Sequence, residues 1–187
     1  MPTPFSSSKW RSITISGRAA SGATTLSRGL AEKLGWQLIN GGEIYREYVK
    51  KNGIPLEQTN LSSDRYHLEL DNFIKEKLKN EKHLIIESWL SGFDAQEIAG
   101  VFKVYVICSD LSVRIDRLVN RDKMTIEEAK QHLQTREEEN LKKWEKLYHT
   151  RDFANPDLYD LVIDTYAHGP TETLNLVLQT IGYFNQG

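Results

Sequence analysis

The chain has 187 residues, a length that suits one compact domain with a sizeable core and leaves too little for two. Hydrophobic residues make up 39% and charged residues 27%, with 12 Gly and 5 Pro, which excludes a disordered or collagen-like chain. Twenty-four Lys and Arg against 26 Asp and Glu leave a net charge of −2, so no global positive field draws nucleic acid or an anionic membrane, and any polyanion site must be local.

After a polar tail over 1–8, Trp10 to Ser16 alternates around Ile13 and Ile15 and predicts a first strand. The loop Gly17-Arg-Ala-Ala-Ser-Gly22 breaks it, and a periodic run from Thr24 to Leu34 predicts a helix that Gly35 stops. Trp36 to Ile39 predicts a second strand, and Gly41-Gly42 opens a second helix with Ile44, Tyr45, Tyr48 and Val49 on one side, ended by Asn52-Gly53. A third helix is expected from about Asp64 to Lys79, then a third strand at Leu84 to Glu87. Val101 to Cys108 is the most apolar run and suits a central buried strand. Asp110 is placed to cap a helix through Arg121, and Thr125-Ile-Glu-Glu128 has the form of a capping box opening a long charged helix to about Tyr148. Asp160 to Asp164 predicts a fifth strand and Thr171 to Phe184 a closing amphipathic helix. Strands alternating with helices predict an α/β fold, a parallel five-stranded sheet with helices on both faces. No apolar run approaches the roughly 18 residues of a membrane span. The single cysteine, Cys108, excludes an intramolecular disulfide framework, and Met1-Pro-Thr-Pro-Phe5 lacks the charged start and apolar run of a secretory signal; the expected setting is a reducing cytoplasm.

The chemistry concentrates in Gly17-x4-Gly22-Ala23-Thr24, which has the spacing of a P-loop: backbone N–H groups and a helix N-terminus cradle phosphates while the Ser/Thr hydroxyl holds Mg²⁺. It falls between the first strand and the first helix, where a parallel sheet opens its ligand crevice. Ala23 stands where the P-loop lysine should be. Its absence removes charge-assisted bonds worth roughly 1.5 to 3 kcal/mol each. Binding would persist while transition-state stabilisation falls, unless another cation such as Arg18 takes the place. The five histidines show no metal-ligand spacing with one another or with Cys108.

The segments Ile13-Thr-Ile-Ser-Gly17, Leu30-Ala-Glu-Lys-Leu-Gly35, Gly42-Glu-Ile-Tyr-Arg46, Leu84-Ile-Ile-Glu87 with Leu90-Ser-Gly92, Val113-Arg-Ile-Asp-Arg117 with Arg121, Thr135-Arg-Glu-Glu138 and Tyr159-Asp-Leu-Val-Ile-Asp164 follow one another in a telling order. In that order and spacing, from about Ile13 to Ile181, the chain resembles the cytidylate kinase family, in its short archaeal-type branch of the P-loop nucleoside monophosphate kinases. The resemblance implies phosphoryl transfer from ATP to CMP or dCMP by a single domain, with a monophosphate-binding arm at about 40–80 and an arginine-rich lid at about 111–150. It implies ATP contacts from Gly17, Arg18, Ala19, Ala20, Ser21, Gly22, Ala23, Thr24, Thr25 and Arg114, and Mg²⁺ on Thr24 and Glu87. Asn40, Gly42, Arg46 and Glu87 would hold the monophosphate, with Trp89 where the family has an arginine, and Arg117, Arg121 and Arg136 would neutralise charge during transfer, joined by Arg18 as the cation that the loop itself offers.

The residues themselves support several of these roles. Arg46 lies one helical turn past Gly42, where a guanidinium can grip a phosphate bidentately. Arg114, Arg117 and Arg121, at i, i+3 and i+7, share one helix face, with Arg136 and Lys143 expected opposite them. Besides Ala23, the chain departs from the family at Glu87-Ser88-Trp89, where Glu-Gly-Arg is usual, and at Asn40, where Ser or Thr is usual. Trp89 thus offers an indole for base stacking or for the core in place of a cation. The expected protein is a monomer with nucleotides as partners, no nucleic acid and no membrane. The rival is a nucleotide-binding pseudokinase that senses or scaffolds.

Overall fold

The computed structural model describes residues 9–183; the expected tail over 1–8 and the end of the expected last helix at Phe184 lie outside them. Every residue from Ser12 to Ser16 in β1 (Ser12–Gly17) is fully buried, so this strand is covered on both faces and takes the centre of the sheet. Around it the order is β2 (Gln37–Asn40), β3 (Leu84–Glu87), β1, β4 (Val101–Ile107) and β5 (Leu161–Asp164), with every pairing parallel. The expected parallel five-stranded sheet is present. Trp10 lies just before β1 and packs edge-on against Phe102 at 5.0 Å, and Cys108 falls one residue past β4, buried.

The helices are α1 (Ala23–Leu34), α2 (Gly41–Lys51), α3 (Asp64–Asn80), the single turn α4 (Ser91–Asp94), α5 (Leu111–Asp122), α6 (Ile126–Tyr148) and α7 (Pro170–Thr180). Leu26 and Leu30 of α1 and Val177 and Leu178 of α7 pack with Ile13, Ile15, Val104 and Val106 on one side of the sheet. Ile74 and Leu78 of α3 and Ala95 after α4 pack with Ile39, Leu84 and Ile86 on the other. Four-residue α4 has no periodicity to announce it in the sequence. Thr125 and Glu128 do form the reciprocal capping box at the start of α6.

The chain runs from β1 outward to β2, returns through β3 beside β1, then crosses β1 to β4. The carboxyl ends of β1 and β3 therefore flank the crevice at which such sheets bind ligands. Over that crevice, Ile115 and Leu118 of α5 and Ala129 and Leu133 of α6 form a separate apolar cluster reaching Ala19 and Ala20. Further along α6, Lys143 Nζ donates to the Ser62 carbonyl at 2.8 Å and to Asp64 Oδ1 at 2.7 Å. The ammonium of Lys143, with that of Lys146, holds the Asp64 carboxyl down at about 2. This corrects one expectation: Lys143 does not face the arginines of α5 but ties α6 to the start of α3. Among the described residues no helix is long and apolar enough to cross a membrane.

Truncating the central strand tests its place in the core. Ile15→Ala is expected to cost about 2 to 5 kcal/mol, or roughly 5 to 20 °C in melting temperature for a chain of this size, whereas Val162→Ala, on a residue 38% exposed at the edge strand β5, should change it little. Thermal melting of the two variants checks this; equal shifts would contradict the burial order.

Candidate active site

Between β1 and α1 the backbone must turn sharply and leave room for a ligand, and its residues answer that need. Gly22, the N-cap of α1, sits at φ 101°, a region that penalises any side chain, and no side chain caps the helix there. A Cβ on Gly17 would stand 2.8 Å from the Val106 carbonyl, so the loop can leave the sheet this closely only with glycine. The first-turn N–H groups of α1, which have no intrahelical acceptor, open with residues 17–26 onto a cleft of about 840 Å³.

Arginines hold the loop in this shape. Arg114 donates twice to the Ala19 carbonyl, at 3.1 and 2.9 Å, and pairs with Glu137 of α6. Arg117 donates to the Ala20 carbonyl at 3.0 Å and to the hydroxyl and carbonyl of Thr165, at 2.9 and 3.2 Å. These bonds occupy the Ala19 and Ala20 carbonyls and, with the Ser21 N–H donating to the Arg18 carbonyl at 3.1 Å, fix the turn of the loop. Arg114, expected among the ATP contacts, does not line the cleft; it braces the loop from behind, beside a smaller cavity of about 260 Å³. Arg18 reaches the cleft wall, yet its guanidinium is engaged by Glu137 at 3.1 Å. Glu137 and Thr165 carry roles that the sequence reading did not assign.

Thr24 and Glu87 meet as expected. The Thr24 hydroxyl donates to Glu87 Oε1 at 3.0 Å, joining the start of α1 to the end of β3. Burial raises the Glu87 carboxyl above its ordinary range, and the Thr24 hydrogen bond works against that shift. One carboxylate and one hydroxyl beside a phosphate cradle are the hard oxygen donors that suit Mg²⁺, which completes its shell with phosphate and water. Asn40 departs from expectation. It caps α2, accepting from the Glu43 N–H at 2.9 Å, donates to Glu87 Oε2, and does not line the cleft, so its amide orients Glu87 and holds the helix.

Across the cleft from the loop stand Arg46, Arg121 and Arg136. Arg121 is held in a two-point pair by the neighbouring Asp122, at 2.8 and 2.7 Å. Arg46 folds back over Gly42, where a Cβ would lie 3.6 Å from its Nη1. Among the described residues neither Arg46 nor Arg136 makes a hydrogen bond or ion pair, and Arg136 Nε is buried with no partner. Burial, then the charges of Arg46 and Arg121, pull the Arg136 guanidinium down to about 10. Unpaired cations gathered in a cleft form an anion site.

The remaining wall is aromatic. Trp89 packs edge-on against Trp144 at 5.0 Å, inside the apolar cluster of Leu90 and Phe153, while part of its surface lines the cleft. His132, Arg136, Asn140 and Trp144 line the cleft at successive i+4 positions of α6, and Tyr148, next in the series, donates its hydroxyl to Asp71 Oδ2. That stripe was present in the sequence but hidden in a helix of high charge.

The family model described as cytidylate kinase-like matches residues 12–167, and the chain belongs to that family. A cytidylate kinase of Haloarcula marismortui is 30% identical over 172 residues, covering 90% of this chain and 88% of the relative. One of Methanopyrus kandleri is 32% identical over 180 residues, covering 90% and 92%. A gluconokinase structure from Sinorhizobium meliloti, 18% identical, superposes with a TM-score of 0.62 over 94% of this chain and 93% of its own, a likeness of fold.

Behind the aromatic wall, the fully enclosed carboxylate of Asp94 lies 3.3 Å from Lys75 Nζ without a hydrogen bond to either oxygen. Burial, and then the Asp71 charge, raise its carboxyl well above the ordinary range. The folded state therefore binds a proton that the unfolded state releases, and stability falls as pH rises from about 4 toward that raised value. Asp94→Asn should raise the melting temperature at pH 7 to 8 and change it little at pH 4. A melting series over this range checks it, and the opposite pH trend would contradict it.

Proposed function

We infer that the chain transfers the terminal phosphoryl group of ATP to CMP or dCMP. The observation that carries this reading is the pair of unpartnered arginines, Arg46 and Arg136, set across one cleft from the open N–H groups of the phosphate loop. Two phosphate-bearing ligands meeting there would place donor and acceptor in one enclosed space, and phosphoryl transfer asks the protein for positioning and charge neutralisation more than for covalent chemistry.

In this reading the loop from Gly17 to Thr25 holds the ATP phosphates through its N–H groups. Thr24 and Glu87 would hold Mg²⁺, which when bound supplies charge to the phosphate oxygens. Gly42, Arg46 and Arg136 grip the monophosphate, Trp89 offers its face to the nucleoside, and α5 with α6 act as the lid over the transferring group. Asn40 serves the substrate through Glu87, as a positioning residue. Arg117 and Arg121 approach from the lid side; Arg114 and Arg117 both bond the loop, and of these two Arg117 lines the cleft. It is therefore the stronger candidate than Arg18 to offset the absent lysine. The rival is a nucleotide-binding pseudokinase, favoured by Ala23 and by the Glu137 grip on Arg18.

The test measures ADP formation from Mg·ATP at high protein concentration with CMP, dCMP, UMP, AMP and GMP in turn. CMP and dCMP should give turnover, and Arg136→Met should lower kcat/KM by at least a hundredfold while the fold melts no earlier than wild type. ATP binding without ADP formation from any monophosphate would favour the pseudokinase. Ala23→Lys refines the result. A vacant cation position should yield about tenfold more turnover, equivalent to about 1.4 kcal/mol at the transition state, whereas no gain in a folded variant means either that another cation already serves or that the site is not built for transfer.

A further inference from the structure

Beyond the arginines, the cleft ends at α3, where two groups have free acceptor atoms. Asp71, 8% exposed, lines the cleft. Its Oδ2 accepts from Tyr148, and among the described residues its Oδ1 has no hydrogen-bond partner. One turn earlier on the same face stands His67, which also lines the cleft. The single proton of the Ser62 hydroxyl goes to the Thr59 carbonyl, so Ser62 Oγ accepts from His67 Nε2–H at 2.7 Å and leaves Nδ1 as a bare acceptor. Burial, and then the charge of Lys143, hold the His67 imidazole down to about 4, so it is neutral in this role. On the facing wall Asn140 turns its Oδ1 to the Thr59 hydroxyl and keeps its Nδ2 donors free. The cleft wall thus carries acceptors on α3 and a donor on α6, together with the apolar surface of Trp89 and Trp144.

The geometry points to Asp71 as the group that selects a base carrying an exocyclic amine, cytosine over uracil, with Tyr148 as the positioning residue that fixes its carboxylate. This rests on the reading of the cleft as a nucleoside monophosphate site. Cytosine presents its 4-amino hydrogens beside acceptor atoms, which matches the Asp71 and His67 acceptors and the Asn140 donor. Uracil presents a 4-oxo group, setting an acceptor against the carboxylate, and sites with buried polar groups discriminate strongly against a ligand that leaves them unmatched. The role suits a chain in which Asn40 is occupied as a helix cap. The carboxyl of Asp71 is raised to about 6 by burial, against the Tyr148 hydrogen bond and the charge of Lys75, so it is an acceptor at neutral pH.

The test is calorimetric binding of CMP and of UMP to the full chain and to Asp71→Asn and Tyr148→Phe, each checked by thermal melting. Wild type should prefer CMP by at least tenfold. Asp71→Asn should lower that preference at least tenfold, because the amide that keeps Tyr148 as partner presents N–H where the free oxygen stood. Tyr148→Phe, which leaves the carboxylate in place but unfixed, should lower it at least threefold and carries the test if the first variant does not fold. Equal losses for both nucleotides, or an unchanged preference, would overturn the assignment alone. Wild type that binds neither nucleotide would overturn the monophosphate reading and this assignment together.

Discussion

Like-charge repulsion among Arg46, Arg121 and Arg136 is the constraint around which the cleft is organised. Asp122 pairs with Arg121, and among the described residues no carboxylate hydrogen-bonds or ion-pairs with the other two. A burial that lowers a guanidinium this way is unfavourable to the fold, and a bound anion relieves it, so ligand affinity and fold stability are linked through the same residues. The walls that tolerate this arrangement are strong elsewhere. At the sheet centre Ile13 and Ile15 are fully buried in the cluster under α1 and α7, and a second apolar cluster under α3 packs on the other face.

The arginines divide by what they touch. Arg114 and Arg117 act on carbonyl oxygens of the loop and fix its backbone, the preorganisation that the proposed phosphate binding asks of it. Among the described residues the Arg46 and Arg136 side chains hydrogen-bond no protein acceptor. Glu137 joins the two groups, since it sits one residue after Arg136 on α6 and binds both Arg18 and Arg114. Any movement of α6 over the cleft is thereby coupled to the phosphate loop.

Much of this was legible in the sequence. Alternation around Ile13 and Ile15, the apolar run from Val101 and the capping box at Thr125 are local signals, and each element they announce is present. The loop spacing and the meeting of Thr24 with Glu87 followed from motif order. What could not be read depends on pairings across the chain. Arg18 finds Glu137 across 119 positions and Lys143 finds Ser62 across 81, and neither partner is marked by spacing. Asn40 divides the two cases: its local role as N-cap of a helix opening Gly41-Gly42 is legible in the sequence, whereas its hydrogen bond to Glu87, 47 positions away, is not. The i+4 stripe ending at Trp144 and Tyr148 was also visible, masked by the charged residues around it.

The central claim is that the loop and the unpaired arginines serve two ligands in one continuous cleft. Its most direct measurement is the affinity, in the presence of Mg²⁺, of a bisubstrate analogue in which adenosine and cytidine are joined through a chain of five phosphates. Joining two ligands whose sites are contiguous makes the second contact intramolecular, so the analogue should bind at least a hundredfold more tightly than ATP or CMP alone. Arg46→Ala and Arg136→Ala should each abolish most of that gain while leaving ATP affinity within a few-fold. An analogue that binds no more tightly than ATP, and equally well to both variants, would contradict the account.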